Sequence, residues 1–280
     1  MIILDGKKLN KVIADNLRET ISVFPSVPKL AIVQVGDNPA SNIYIARKQK
    51  FAEEIGAQAM VRKFPNTATE TEIISEINSL NANNSVNGVI VQLPIPGHLT
   101  VSKIIDSISP EKDVDGLSAK NIYKLVRGEE TFVPATALGI GTLLKENGIV
   151  VEGKNVVVIG RSLLVGKSTA LHLTNLGATV TICHSKTKNI IEHTRRADII
   201  VVAVGKPGLI NDDYISEKQV IVDVGINMVD GKVCGDTNII DQSKLKAISP
   251  VPGGVGPMTV ASLFQNLVTA YKVQEKQNKV

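Results

Sequence analysis

The chain has 280 residues, 43% of them apolar, enough for a sizeable core in one large or two ordinary domains. Its net charge of +4 is a near balance of 31 basic and 27 acidic residues with no arginine cluster, and Trp is absent, which argues against a nucleic-acid surface. Two cysteines are too few for a disulfide framework and lack metal-site spacing, and apolar runs such as IIVVAV are far short of a membrane span, so the cytosol is the default compartment.

In chain order, MIILDGKKLNKVIADNLRETI reads as a short strand and an amphipathic helix, with acidic residues that a signal or transit peptide lacks. KLAIVQV from Lys29, AMVRKF from Ala59 and GVIVQL from Gly88 read as strands, separated by a helix over 40–55 and a polar helix from Thr69. Strands this apolar, alternating with helices, indicate a parallel sheet covered on both faces. Within the first of these helices Tyr44, Ile45, Lys48, Phe51, Ala52 and Ile55 recur on one face. Lys48 therefore stands in an apolar stripe, with Tyr44 one turn before it. Two readings follow. Either the lysine snorkels, its stem covering the stripe and its head in water, or its ammonium loses hydration and yields an amine able to accept a proton near neutrality.

A Pro/Gly-rich loop and a helix over 136–147 mark a domain join within 110–148. A second alternation follows, NVVVIG, TVTIC, ADIIVVAVG and QVIVDVG, with the period of a doubly wound nucleotide-binding fold. After SPVPGGVGP a last helix places Val260, Leu263, Phe264, Leu267, Val268 and Tyr271 on one side, with Pro257 at its start.

VVVIGRSLLVGKSTALHL is a strand, a glycine turn and a helix, which offers backbone amides and a helix N-terminus to a pyrophosphate. Gly160 and Gly166 do not fit the usual GxGxxG spacing. TVTIC is followed by His184, Ser185 and Lys186, so the carboxylate that usually holds the ribose hydroxyls is missing. Arg161 as a charged fork and Ser185 as a neutral donor suit an adenosine 2′-phosphate, favouring NADP over NAD. The plainer alternative is a glycine turn that binds nothing, beside a surface arginine.

Taken together, VGDNPASNIYIARKQK (35–50), GVIVQLPIP (88–96), PEKDVDGL (110–117), GRSLLVGKS (160–168), CHSKT (183–187), VGKPGLI (204–210), VIVDVGIN (220–227) and PVPGGVGPMTVA (250–261) resemble the bifunctional methylenetetrahydrofolate dehydrogenase/cyclohydrolase family nearly end to end. The resemblance implies two α/β domains, the C-terminal one a Rossmann-like doubly wound parallel sheet, with a C-terminal helix returning to the N-terminal domain. Residues 1–120 and 258–280 would form the folate-binding catalytic domain and 121–257 the NADP domain. It implies oxidation of 5,10-methylenetetrahydrofolate with NADP, then hydrolysis of the methenyl product to 10-formyltetrahydrofolate, in one cleft between the domains lined by the PVPGGVGPMT loop. Members of the family are commonly homodimers joined through the cofactor domains.

Carried over by motif, the family's catalytic lysine falls on Lys48 and its pterin-stacking tyrosine on Tyr44. Gln92, of VQLP, stands at a strand end, where its amide can orient a neutral amine without adding a charge. Asp115 matches the aspartate that binds the amino-pyrimidine edge, although as a turn signal Asp113 would serve as well. Cofactor contacts are implied at Gly160, Arg161, Ser162, Gly166, Ser185, Gly205 and Ile226, and no metal is expected. The chain departs from the family pattern at Ala135 and Ala137, where PCTP is usual, at Ser168 for a proline, and at Thr237 where GDV is usual. Those departures bear on the domain join and the cofactor turn rather than on the chemistry. Rival readings are a quinate or shikimate type NADP oxidoreductase, a monofunctional dehydrogenase, and a non-catalytic folate- or nucleotide-binding paralogue. A small polyol acid needs no stacking tyrosine, and a non-catalytic relative has no need to keep Lys48.

Overall fold

The computed structural model describes residues 1–277. It opens with β1 (Ile2–Ile3), α1 (Gly6–Ser22), β2 (Lys29–Val35), α2 (Pro39–Ile55), β3 (Gln58–Phe64), α3 (Glu70–Ala82) and β4 (Gly88–Val91). There follow α4 (Val101–Asp106), α5 (Ala119–Val126), α6 (Ala135–Glu146), β5 (Asn155–Ile159), α7 (Ser168–Asn175), β6 (Thr179–Cys183), α8 (Ile190–Arg195) and β7 (Ile199–Val202). The chain closes with β8 (Ile210–Asn211), β9 (Val220–Asp223), β10 (Asn227–Val229), β11 (Lys232–Cys234), β12 (Thr237–Asn238), β13 (Ala247–Ile248) and α9 (Val255–Gln277). Two compact units result, one of Val12–Ala135 with Val260 onward, the other of Met1–Lys11 with Thr136–Thr259.

The first unit is built on a three-stranded parallel sheet with β2 between β3 and β4. Ala31, Val33 and Val35 of β2 pack with Ile73, Ile77 and Leu80 of α3 and with Ile104 and Ile108, the covered faces that uninterrupted apolar strands require. Asn38 caps α2, Pro39 supplies a pre-set φ at its first position, and Gly56 ends it in the left-handed region. Ile45, Phe51, Ala52 and Ile55 are buried, and Tyr44 and Lys48 are partly buried, so the stripe lies as the periodicity predicts. From Val260 on, α9 packs within this unit. Phe264 meets Phe51 with ring centroids 5.3 Å apart, and Tyr271 stacks on Phe24 at 4.4 Å.

The second unit holds a six-stranded sheet, parallel throughout, in the order β1-β13-β9-β7-β5-β6. Val157, Ile159, Ile200, Val202, Ile221 and Ile248 are among its buried core. The chain runs from β5 out to β6 and returns to β7 on the other side of β5. That reversal opens a crevice beyond the C-terminal ends of β5 and β7, where doubly wound sheets receive nucleotides.

Several features differ from the sequence expectation. Residues 1–11, expected with the first domain, lie in the second unit because β1 pairs with β13. Helix α9 begins two residues before Pro257, which sits in the first turn, where a missing N–H has no intrahelical partner to lose. The six- and eight-residue helices α4 and α5, the β10-β11 hairpin and the β8-β12 pair are too short to carry a readable period. Among the described residues no helix is long and apolar enough to cross a membrane.

Candidate active site

In the first unit Gln92 directly follows β4, and its N–H donates to Val33 O, 2.8 Å away, so it emerges at the C-terminal lip of the sheet. Its side-chain Nε2 donates to Leu93 O at 2.8 Å, which turns Oε1 the other way, onto Lys48 Nζ at 2.7 Å. Ser41 Oγ, on the first turn of α2, donates to the same carbonyl at 3.4 Å. The lysine head therefore meets a neutral acceptor rather than a carboxylate. Burial pushes its pKa down from the ordinary lysine range, and the charge of Asp115 partly restores it. Tyr44 is half-buried, with the Arg47 guanidinium 5.6 Å over its ring centre, and burial pushes the phenol pKa up.

Asp115 rides on a loop that is pinned from several directions. Val89 N–H, in β4, donates to Lys112 O at 2.7 Å, so the loop is laced to the strand that ends at Gln92. Lys112 Nζ donates to Leu80 O, Asn81 O and Asn83 O at 3.1, 2.7 and 2.9 Å, a cation placed on the orphan carbonyls at the end of α3. Asn266 Nδ2, on α9, donates to Val114 O and Val133 O at 2.9 and 3.0 Å. The choice between the two aspartates is a matter of partners. Asp113 is buried and accepts from Leu117 N, Ser118 N and Asn121 Nδ2, so its oxygens shape the loop. Asp115, a partly buried residue, has a carboxyl pKa raised to about 6, by burial first, with Lys48 opposing and Asp113 adding to the rise. Neither Asn266 nor Lys112 was singled out by sequence reasoning, because a lone amide on an apolar helix face and a lysine in a turn carry no pattern of their own.

In the second unit the glycine turn follows β5. Gly160 has φ +129°, and a Cβ on it would overlap Ala203 O, while a Cβ on Gly166 would overlap Gly160 O. Only glycine permits this approach of the two loops at the switch point. The helix expected after the turn opens with one wide turn, Lys167 N–H donating to Ser162 O, before α7 takes a regular course. Ser162 Oγ accepts from Val165 N and Gly166 N, so this side chain caps the turn. Ser168, which stands where the family pattern has a proline, donates its hydroxyl to Leu164 O and Val165 O at 3.2 and 3.0 Å.

Ile159 of β5 pairs with Cys183 of β6, and Arg161 and Ser185 each lie two residues beyond these adjacent strand ends. Both are exposed, as an incoming phosphate requires. Gly205, with φ +63°, would meet nothing within 4 Å if it carried a Cβ, and Ile226 is half exposed. Glycine turn, switch-point crevice and a strand end free of carboxylate fit a phosphorylated dinucleotide. Among the described residues no group of three or more His, Cys, Asp or Glu is placed to hold a metal ion.

Comparison with known proteins accords with both halves. Residues 4–115 match the tetrahydrofolate dehydrogenase/cyclohydrolase catalytic domain, and residues 134–275 match the NAD(P)-binding domain of the same enzymes. The chain is 43% identical to the bifunctional protein FolD of Nautilia profundicola over the whole of both sequences. It superposes with a TM-score of 0.94 on the crystal structure of the Campylobacter jejuni FolD dehydrogenase/cyclohydrolase, at 43% identity over 98% of this chain and 99% of that one. The Trypanosoma brucei enzyme, solved with NADP cofactor and an inhibitor, matches at TM-score 0.91 and 32% identity over 98% of each chain.

Proposed function

Because the chain belongs to the tetrahydrofolate dehydrogenase/cyclohydrolase family, it oxidises 5,10-methylenetetrahydrofolate with NADP and hydrolyses the methenyl product to 10-formyltetrahydrofolate, and we propose that Lys48 moves the protons of the second step. The observation that carries this reading is the 2.7 Å contact of Lys48 Nζ with the uncharged Gln92 Oε1, in a setting that lowers the amine's pKa. A carboxylate there would hold the ammonium charged; an amide orients it without doing so.

In the dehydrogenase step NADP accepts the hydride, and the protein's part is to hold the folate in place. Tyr44 offers a ring face for the pterin, and Asp115 a carboxylate for its donor-rich amino-pyrimidine edge. In hydrolysis, water adds to the methenyl carbon as its proton passes to the Lys48 amine. The carbon–N5 bond then breaks as the proton returns to N5, and the remaining hydroxyl proton leaves to solvent with the positive charge of the methenyl compound, so that the formyl C=O forms on N10. General catalysis of this kind contributes roughly a hundred- to ten-thousand-fold.

The unit with β2 is the folate domain in this reading, and the six-stranded unit is the NADP domain, with contacts at Gly160, Arg161, Ser162, Gly166, Ser185, Gly205 and Ile226. We also infer a homodimer. Its support is β6, an edge strand of the parallel sheet, which exposes Thr179, Thr181 and Ile182. Two free thiols are in keeping with a reducing cytoplasm. The test of the proton carrier is Lys48→Met. Cyclohydrolase kcat should fall at least about a hundredfold while folate still binds, and unchanged hydrolysis would sink the assignment.

A further inference from the structure

The motifs VIVDVGIN and CGDT carry two buried carboxylates that the reactions leave without a task. Asp236 is fully buried, and its Oδ2 accepts from Val204 N and Gly205 N at 2.7 and 3.0 Å while Oδ1 accepts from Lys206 N at 2.8 Å and Asn227 Nδ2 at 2.9 Å. Three successive amides converging on one anion form a nest, a concavity that in other settings receives phosphate. Here the protein fills it with its own carboxylate. Asp223 fixes Asp236 in turn: its Oδ1 accepts from Asp236 N at 3.0 Å, and its Oδ2 accepts from Thr237 N at 2.9 Å and Thr237 Oγ1 at 2.7 Å.

Each carboxylate occupies the space that a side chain on the other's neighbouring glycine would need. A Cβ on Gly225 would overlap the Asp236 carboxylate, and a Cβ on Gly235 would overlap that of Asp223. The DVG and GD pairs are thus two halves of one device. Thr237, a departure from the family pattern, adds a hydroxyl donor to it.

We propose that Asp236 is the positioning residue of the cofactor loop, its carboxylate locking the Val204–Gly205–Lys206 turn beside the glycine turn in the shape that receives NADP. The inference rests on the reading of Gly205 as a cofactor contact. Charge-assisted bonds to three amides give the loop one conformation before the cofactor arrives, so binding has little ordering to do. The filled nest also repels a second anion, which leaves the pyrophosphate to the turn at Gly160 and Gly166.

The experiment is an NADPH fluorescence titration joined to dehydrogenase kinetics for wild type, Asp236→Asn, Asn227→Ala and Gly205→Asn, each checked by circular dichroism at the assay temperature. Asp236→Asn should raise the NADPH Kd and the NADP KM at least about tenfold, with kcat at saturating NADP within about threefold of wild type. Asn227→Ala, which removes one donor and keeps the carboxylate, should raise Kd about threefold and serves if Asp236→Asn fails to fold. Gly205→Asn tolerates the positive φ and projects into the open space, so it should weaken binding on its own account. If Gly205→Asn weakens NADPH and the other folded variants stay within twofold of wild type, the proposal is overturned and the Gly205 contact stands. If Gly205→Asn also changes nothing, the reading of the loop falls with it.

Discussion

Lys48 and Asp115 share one electrostatic problem at the scale of single residues: each is an ionisable group that burial pushes towards its neutral form, and each charge pulls the other back. For Asp115 the consequence is measurable. With its pKa raised from 3.8 to about 6 in the folded chain, the contribution of this group to stability is fully present below its unfolded pKa and is lost as pH rises through about 6. A shift of that size corresponds to about 3 kcal/mol, taken as about 1 to 2 kcal/mol because the residue as a whole is only partly buried. Asp115→Asn should therefore raise Tm above pH 6, leave it unchanged below pH 4, and raise the KM for methylenetetrahydrofolate. A thermal-melt series across pH with a parallel KM measurement checks the pair of effects. Binding by wild type should weaken as pH falls through about 6, as the carboxylate takes up a proton. Which of the two aspartates remains available to a ligand is not readable from KDVDG. It depends on Leu117 N, Ser118 N and Asn121, which return to Asp113 only once the loop has closed.

Elements carried clearer signals. The stripe of α2, the strand GVIVQ that ends at Gln92 and the strand–turn–helix after β5 were readable because each has a period or a breaker that local sterics impose. The wide first turn before α7 was not, since nothing in the propensities of LLVGK distinguishes it from a regular helical turn. The cofactor preference proposed for Arg161 and Ser185 belongs to this scale, because the two residues follow neighbouring strand ends. Arg161→Ala should raise the KM for NADP roughly ten- to a hundredfold, the loss of one charged bidentate contact of about 1.5 to 3 kcal/mol, and change that for NAD little. Initial rates with both cofactors decide it, and equal effects on the two remove the case for a 2′-phosphate contact. At Thr237 the departure from the family pattern has a clear local result, a hydroxyl placed 2.7 Å from a buried carboxylate whose own pKa is pushed up by burial.

For the whole molecule, alternation of strand and helix already implied parallel sheets, but not the order of their strands. The edge position of β6 follows from the return of the chain to β7 on the far side of β5, and it exposes Ile182 at 39%. Ile182→Lys should convert a dimer into a monomer in light scattering while NADP still binds. A wild type that is itself monomeric at micromolar concentration would end the dimer reading. An edge lysine opposes strand pairing by charge and by hydration, which is why it is the replacement chosen.

The amino-acid sequence by itself determined the α/β class, the α2 stripe with Lys48 and Tyr44 on it, the glycine turn at Gly160, and, through its long ordered motifs, the family. All of these rest on short-range rules of helix period, strand period and turn sterics, or on segments that can be compared residue by residue. Only the tertiary structure decided that β1 pairs with β13, that Asp113 is spent on its own loop while Asp115 is not, that Asn266 holds that loop from α9, and that Asp236 fills the nest at Gly205. The physical reason is common to these four. Each depends on hydrogen bonds between groups remote along the chain, and such bonds have direction and reach but no repeat for a sequence to display.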